Sequence, residues 1–173
     1  MKQGNFITII IMFFISFTGF SQSVPVNDDG KIEYKEVVEE NGNPEEFFIR
    51  AVTWINSFYS NPFDVTKTRD QSSGIIKGLH RFRMEKTLED GQKVDAGTVQ
   101  YEFKLEFKDG RYRYTLGDFV LRQNSAIPTE KWLNASDPES KSYLKQLDNF
   151  AQDWIKSLKE GMKPVVVKKE EEW

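Results

Sequence analysis

TVQYEFKLEFKDGRYRYTLGDFVL, residues 98–121, is the stretch of sequence that decides the fold. Apolar residues occupy every second position from Val99 to Phe107, and polar or charged residues occupy the positions between them. A period of two is the pattern of a strand with one buried face. Asp109-Gly110 then predicts a two-residue type I′ turn, because both central residues of that turn need a positive φ. The stretch therefore predicts an antiparallel hairpin.

A two-residue turn also fixes the register of this hairpin, since a three-residue loop would break the sidedness of both strands. The predicted cross-strand pairs are Lys108–Arg111, Phe107–Tyr112, Glu106–Arg113 and Leu105–Tyr114. Further along, Gly117-Asp118-Phe119 interrupts the alternation and predicts a bulge or a close backbone approach. Asp118 is the candidate structural carboxylate. It is either buried against the aromatic face or accepts backbone hydrogen bonds that hold the bulge.

Composition limits the classes of function. The chain has 173 residues, a formal net charge of −3 and no cysteine. Disulfides, thiolate metal sites and a cysteine nucleophile are therefore excluded. The aromatic content of 14% and charged content of 29% fit one globular domain. A mildly acidic chain has no electrostatic footprint for nucleic acid, so no nucleic-acid partner is predicted.

The first segment has the pattern of a secretory signal peptide. Lys2 supplies a positive charge, Phe6–Phe20 is apolar, and the small residues Gly19 and Ser21 precede a cleavage point before Gln22. A membrane-spanning helix needs about 20 apolar residues, so we expect cleavage and no stable membrane span. Export without cysteines predicts the periplasm or cell envelope of a Gram-negative bacterium.

The remaining chain predicts three more strands and two helices around the hairpin. The predicted strands cover 31–40 (interrupted at Val37-Val38), 63–68 and 75–84, with a polar loop at 87–97. The first helix is capped by Asn43 and stops at Asn61-Pro62, and the second is capped by Ser136 or Asp137 and ends at Gly161. The segment 122–134 is predicted to be irregular.

This order, β-α-β-β-β-β-α, predicts a two-layer α+β domain over residues 31–160. A largely antiparallel five-stranded sheet would carry both helices on one face, leaving the other face to water. Residues 1–21 form the signal peptide, 22–30 an N-terminal linker and 161–173 a charged C-terminal tail.

Four stretches resemble a known family. They are VPVNDDGKIEYKEVVE at 24–39, RAVTWINSFY at 50–59, SSGIIKG at 72–78 and KDGRYRYTLGDF at 108–119. By the order and spacing of these stretches, the chain resembles the DUF4468 domain. This is a family of unknown function with a TBP-like fold, found in exported proteins of the Bacteroidota. The resemblance spans about Val24 to Lys159. It implies a TBP-like arrangement of sheet and helices, no assigned activity and no DNA binding.

The chemistry-bearing residues do not form a catalytic pattern. His80 is the only histidine, and no nearby carboxylate and nucleophile complete a triad with it. Asn27-Asp28-Asp29-Gly30 has some features of a calcium loop but is more typical of a turn. The sequence therefore predicts no enzyme, no cofactor and no metal.

Three classes of function remain. The leading one is a non-enzymatic envelope module that binds a protein or glycan or has a structural role, with Trp54 and Trp132 as candidate exposed partner contacts. The alternative is a carrier of a small apolar ligand between the sheet and the helices, for which the aromatics would line a pocket. A hydrolase using carboxylates such as Asp118 or Glu102 is the third. The oligomeric state is left open.

Overall fold

A computed structural model of the protein describes residues 24–164. The elements in chain order are β1 (Tyr34–Glu39), α1 (Pro44–Phe58), α2 (Pro62–Val65), β2 (Thr66–Asp70), β3 (Ile75–Thr87), β4 (Lys93–Lys108), β5 (Arg111–Arg122), β6 (Ala126–Pro128), a 3-10 helix (Thr129–Trp132) and α3 (Pro138–Gly161). The strands form one antiparallel sheet in the order β1-β5-β4-β3-β2, with β6 paired to β5 beyond the end of β1. The α+β class is confirmed, and residues 24–164 hold six strands and three α-helices instead of the five and two expected.

The central hairpin has the predicted register. Lys108 faces Arg111, Phe107 faces Tyr112 and Glu106 faces Arg113. The prediction of a type I′ turn is wrong, however. That turn needs a positive φ at both central residues, and of Asp109 and Gly110 only Gly110 has one (69°). Its N–H donates to the Gly42 carbonyl at 2.9 Å and its carbonyl accepts from the Glu40 N–H at 3.1 Å. The turn is therefore bonded to the β1–α1 loop, a tertiary contact that turn propensity does not include.

The predicted bulge is present in β5. Glu102 faces Gly117 and Gln100 faces Val120, so two residues of β5 oppose Tyr101 alone. Asp118 takes a left-handed conformation (φ 51°) in this bulge and is exposed. Within residues 24–164 its carboxylate accepts no hydrogen bond, so both roles predicted for it are wrong. The bulge turns its side chain outward while Phe119 continues the buried row.

Strand boundaries differ from the prediction at several places. β1 covers Tyr34–Glu39 instead of 31–40, and it pairs with β5 without interruption at Val37-Val38, where Val37 faces Arg113 and Val38 faces Tyr112. Residues 62–65 form the short helix α2, since Pro62 is suited to a first helical position, and β2 begins only at Thr66. The polar loop at 87–97 is shorter than predicted: β3 and β4 pair as far as Thr87 and Lys93.

Both long helices are capped as their sequences predict. Asn43 Oδ1 accepts from the Glu46 N–H at 3.0 Å and Glu46 Oε2 accepts from the Asn43 N–H at 3.1 Å, a complete capping box. Asp137, rather than Ser136, caps α3 by accepting from the Ser140 N–H at 2.8 Å. These caps satisfy helix N–H groups that have no partner within the helix.

The helices α1 and α3 pack on one face of the sheet, which we call the inner face. Its buried side chains include Phe47, Trp154, Tyr101, Phe103, Leu105, Tyr112 and Leu116. The opposite face, called the outer face, carries the alternate residues of each strand and is covered by no helix among residues 24–164.

The chain ends of the described range are part of the packed domain. Val24 is buried and Val26 pairs with Ile32, although the sequence places both in a linker. Met162 is fully buried and its carbonyl accepts from Arg50, although the sequence places it in the tail. The predicted signal peptide at 1–21 lies outside the described residues. In the described part of the chain, no helix is long and apolar enough to cross a membrane.

Glu36 connects β1 to α3 and gives an expected pH dependence. Lys159 Nζ lies 2.7 Å from its carboxylate and the Tyr114 hydroxyl donates to it at 2.6 Å. The hydrogen bonds from Lys159 and then Tyr114 lower the pKa of Glu36 from 4.5. A lowered folded-state pKa stabilises the fold above the unfolded-state value, and that stabilisation is lost as pH falls through the folded-state value.

We therefore expect Glu36→Gln to flatten the dependence of the unfolding free energy on pH below about 4.5. Urea titrations followed by circular dichroism at several pH values measure this slope. Glu39→Gln, on the same strand and outside any ion pair of residues 24–164, is the control. An equal slope for Glu36→Gln and the wild type would contradict the assignment.

Candidate functional site

Trp54, predicted as an exposed partner contact, is buried. Its side chain is 4% exposed, its indole N–H donates to Ser157 Oγ at 3.0 Å, and its ring meets Trp154 edge-on with centroids 5.2 Å apart. A Cβ on Gly161 would lie 2.6 Å from the Trp54 ring. Because glycine has no side chain, α3 lies close enough at Gly161 to cover Trp54. The prediction that Trp54 is exposed is therefore wrong.

Trp132 is buried as well. It is 5% exposed and its ring lies 5.3 Å from that of Tyr143 on α3. The segment 122–134 was predicted to be irregular, and the 3-10 helix within it turns Trp132 toward the core. The aromatic side chains of residues 24–164 that do face solvent are Phe63 on α2, at 87% exposure, and Phe58 at the end of α1, at 38%. Neither Trp54 nor Trp132 is therefore an exposed partner contact.

A chain of polar aromatic side chains crosses the core near His80. Trp154 Nε1 donates to the Tyr59 hydroxyl at 2.8 Å, and the hydroxyls of Tyr59 and Tyr101 are 3.2 Å apart. The Tyr101 hydroxyl lies 3.5 Å from His80 Nδ1. This network satisfies polar atoms that would be costly to bury alone.

The ionisable side chains of this network are uncharged at neutral pH. Burial raises the pKa of Tyr59 to about 12, although its hydrogen bonds with Tyr101 and Trp154 oppose the shift. Burial, with Tyr59 beside it, also raises the pKa of Tyr101. Burial and then the charge of Arg81 lower the pKa of His80. The tyrosines stay protonated at neutral pH, so they donate hydrogen bonds and do not supply a nucleophile.

The outer face is basic, although the chain as a whole is acidic. Cross-strand register assigns ten basic residues to it: Lys35, Lys77, Arg81, Arg83, Lys93, Lys104, Lys108, Arg111, Arg113 and Arg122. With Asp118 of the β5 bulge it carries seven acidic residues: Glu39, Asp70, Glu85, Asp95, Glu102, Glu106 and Asp118. Ten positive and seven negative charges give +3, which leaves −6 for the rest of a chain whose net charge is −3.

A hollow of about 380 Å³, the bulge hollow, lies on the outer face beside the β5 bulge. Its floor is formed by Lys77, Glu102, Phe103, Lys104, Thr115, Gly117 and Asp118, and its wall by Asn27, Asp29, Lys31, Ile32 and Glu33. Gly117 lies directly beneath the wall, since a Cβ there would be 3.4 Å from the Ile32 carbonyl oxygen. Charged groups of both signs and a hydroxyl therefore converge on a concave surface large enough for a small ligand.

Two smaller features adjoin the outer face. A hollow of about 220 Å³ near the hairpin turn is lined by Val37, Glu106, Lys108, Arg111, Tyr112 and Arg113. A third, of about 330 Å³, lies at the β3 edge beside α2 and is lined in part by His80, Arg81 and Gln100. Among residues 24–164, no three histidine or carboxylate side chains converge as metal ligands.

Glu106 sets the local charge between two of these hollows. Lys104 Nζ lies 2.8 Å and Arg113 Nη2 2.7 Å from its carboxylate oxygens. Burial alone would raise the pKa of Glu106, but the hydrogen bonds from Lys104 and Arg113 outweigh it and lower that pKa. The ionised carboxylate compensates one of the two cations, so this part of the outer face stays positive.

The sequence did not predict the basic outer face, because it does not show which side chains of β3 lie on which face of the sheet. Gly78 and His80 occupy inner positions there, so hydrophobic alternation does not separate the two faces. Register against β4 places Lys77, Arg81 and Arg83 outside. An available signal was that these three basic residues alternate with Gly78, His80 and Phe82.

The antiparallel sheet, covered by helices on one side and open on the other, defines an α+β protein with a TBP-like fold. The chain belongs to the family described as a domain of unknown function (DUF4468) with TBP-like fold, whose model matches residues 34–122. This confirms the resemblance inferred from the sequence.

Two solved structures show the same fold. A TBP-like protein from Parabacteroides distasonis ATCC 8503 is 18% identical, with a TM-score of 0.65 over 80% of this chain and 96% of that one. A DUF4468 family protein from Bacteroides ovatus ATCC 8483 is 15% identical, with a TM-score of 0.66 over 84% of this chain and 94% of that one. No curated protein matches the sequence.

Proposed function

We propose that this protein is an exported, non-catalytic binding module whose ligand lies on the outer face of the sheet. The proposal rests on one observation, the position of the hollows on the protein surface. The bulge hollow and the hollow at the hairpin turn both open on the outer face, which no helix of the described chain covers. Signal-peptide features in residues 1–21 support export.

The packing of the inner face favours this site over a carrier of apolar ligands. Phe103 stacks on Tyr59 with centroids 5.9 Å apart, and Trp154 contacts Phe103 at 5.6 Å. Tyr101, Leu105 and Trp154 have essentially no exposed surface. The aromatic side chains that would line a carrier's pocket thus fill the space between sheet and helices with one another.

The raised pKa values of Tyr59 and Tyr101, which keep both hydroxyls protonated at neutral pH, support a non-catalytic role. A binding module needs only a surface of defined shape and charge, and the bulge hollow supplies both. Asn27 and Gly117, which belong to two of the stretches that carry the family resemblance, meet in that hollow.

Filling the bulge hollow should abolish ligand capture. Thr115→Trp places a large ring in the hollow without changing the net charge, and Asn56→Trp on exposed α1 is the matched control. Tagged proteins are used to capture ligands from native envelope extracts, and bound proteins and small molecules are identified by mass spectrometry.

We expect a ligand that is captured by the wild type and by Asn56→Trp and lost with Thr115→Trp. Circular dichroism and thermal unfolding verify that both variants are folded. A ligand that Thr115→Trp retains at wild-type yield would place the binding surface elsewhere and refute the proposed site.

A further inference from the structure

We propose that the outer face binds an acidic polysaccharide, extended across the strands of the sheet. The inference rests on the proposed function, because it names the ligand class for the same face. The uneven distribution of charge motivates it: +3 lies on the outer face and −6 on the remainder of the chain. Such separation attracts an anionic polymer to one face and repels it from the other.

Most basic side chains of this face have no ion-pair partner among residues 24–164. Lys104 and Arg113 share Glu106, and Lys93 pairs with Glu85. The other seven basic side chains form no ion pair with any residue of the range 24–164: Lys35, Lys77, Arg81, Arg83, Lys108, Arg111 and Arg122. All seven are exposed, so an external anion can reach them.

Two cross-strand pairs on this face place like charges together: Lys77 faces Lys104, and Lys108 faces Arg111. Opposite charges face each other in Glu106–Arg113 and Glu39–Arg111. Neighbouring strands are about 4.8 Å apart, and like charges directly opposite each other destabilise a sheet. An anionic chain crossing the strands would relieve this repulsion, because each carboxylate or sulfate can lie between cations of adjacent strands.

The other side chains of the face distinguish among anionic polymers. Thr68, Thr98, Gln100 and Thr115 supply hydroxyl and amide groups. No outer-facing strand position of the described chain carries an aromatic residue. Single-stranded nucleic acids are held by bases stacked on aromatic rings. Arginine forks and hydroxyls without a stacking surface suit the carboxylates and hydroxyls of an acidic polysaccharide.

The test is binding of polygalacturonate, a carboxylate polymer, to the purified protein by isothermal titration calorimetry. The triple variant Lys35→Gln, Lys77→Gln, Lys108→Gln removes three unpaired charges from the outer face. The control, Lys141→Gln, Lys145→Gln, Lys156→Gln, removes three exposed lysines of α3. We expect an affinity at least about tenfold lower for the outer-face variant, and an affinity within about twofold of wild type for the control.

Binding should also weaken about tenfold or more between 50 and 200 mM salt, as expected when polymer counterions are released. Neutral dextran should not bind. Equal losses in the two triple variants, or tighter binding of a single-stranded oligonucleotide or anionic lipid vesicle at the same salt, would overturn the inference.

The two proposals fail in different ways. If polygalacturonate does not bind while Thr115→Trp still abolishes capture from envelope extracts, the outer face is the site but the ligand class is wrong. If Thr115→Trp and the outer-face triple variant both retain the captured ligand, the site itself is wrong.

Discussion

Trp154→Ala is expected to lower the free energy of unfolding by about 3–5 kcal/mol, the range for removing a buried aromatic side chain. Trp154 has no exposed surface and its ring contacts those of Trp54, Phe103 and Tyr114. Its indole N–H also donates to Tyr59, so truncation both opens a cavity and removes a buried hydrogen bond. Domains of this size are stable by about 5–15 kcal/mol, so a large part of the stability is at stake.

Urea unfolding followed by far-ultraviolet circular dichroism measures this effect without depending on tryptophan fluorescence. Phe63→Ala is the matched control, because it removes an aromatic ring that is 87% exposed. We expect that control to change stability by less than about 0.5 kcal/mol. Trp154→Phe keeps an aromatic ring but removes the indole N–H donor, so it should lower the free energy of unfolding by about 1–2 kcal/mol. A loss below about 1.5 kcal/mol for Trp154→Ala would contradict the packing described.

The elements that the sequence predicts well are those decided by local pattern. The hairpin register follows from alternation on either side of Asp109-Gly110, and the helix starts follow from Asn43 and Asp137. Each of these signals lies within a few residues of the structure it determines. The α+β class follows because one-sided strands and helices must cover one another.

What the sequence did not predict depends on contacts between distant segments. The burial of Trp54 needs Gly161, more than a hundred residues away, and the burial of Trp132 needs Tyr143 on another element. The conformation of Asp109-Gly110 is set by hydrogen bonds from Gly110 to the β1–α1 loop. None of these partners is visible in the local pattern. Local reasoning therefore predicted exposed tryptophans and a type I′ turn.

The same limit applies to the candidate site. Net charge indicated a mildly acidic protein with no electrostatic footprint for nucleic acid, but net charge averages over the whole chain and does not show how the charges are distributed. Strand pairing separates the charges, because it brings Lys35, Lys77 and Arg111 from three strands onto one face. A sheet can therefore present a basic surface that neither composition nor any single strand reveals.

Gly78→Ala is expected to destabilise the fold by about 1–3 kcal/mol, the usual range for overpacking a core. A Cβ at this position would lie 2.2 Å from Phe103 Cζ and 2.3 Å from Phe103 Cε1. Phe103 cannot move away easily, since its ring stacks on Tyr59 and contacts Trp154. In the sequence Gly78 only blurs the alternation of β3, whereas in the fold it makes room for a ring from the neighbouring strand.

Gly117→Ala is the matched substitution, because its Cβ would make only an ordinary 3.4 Å contact with the Ile32 carbonyl oxygen. We expect it to be neutral or slightly stabilising, as alanine reduces the freedom of the unfolded chain. Phe103→Leu removes the ring atoms that clash, so it should cost less stability in the Gly78→Ala background than in the wild type. A double-mutant cycle from urea unfolding measures that coupling. Additive effects of Gly78→Ala and Phe103→Leu would show that the cost of alanine at position 78 does not come from the Phe103 ring.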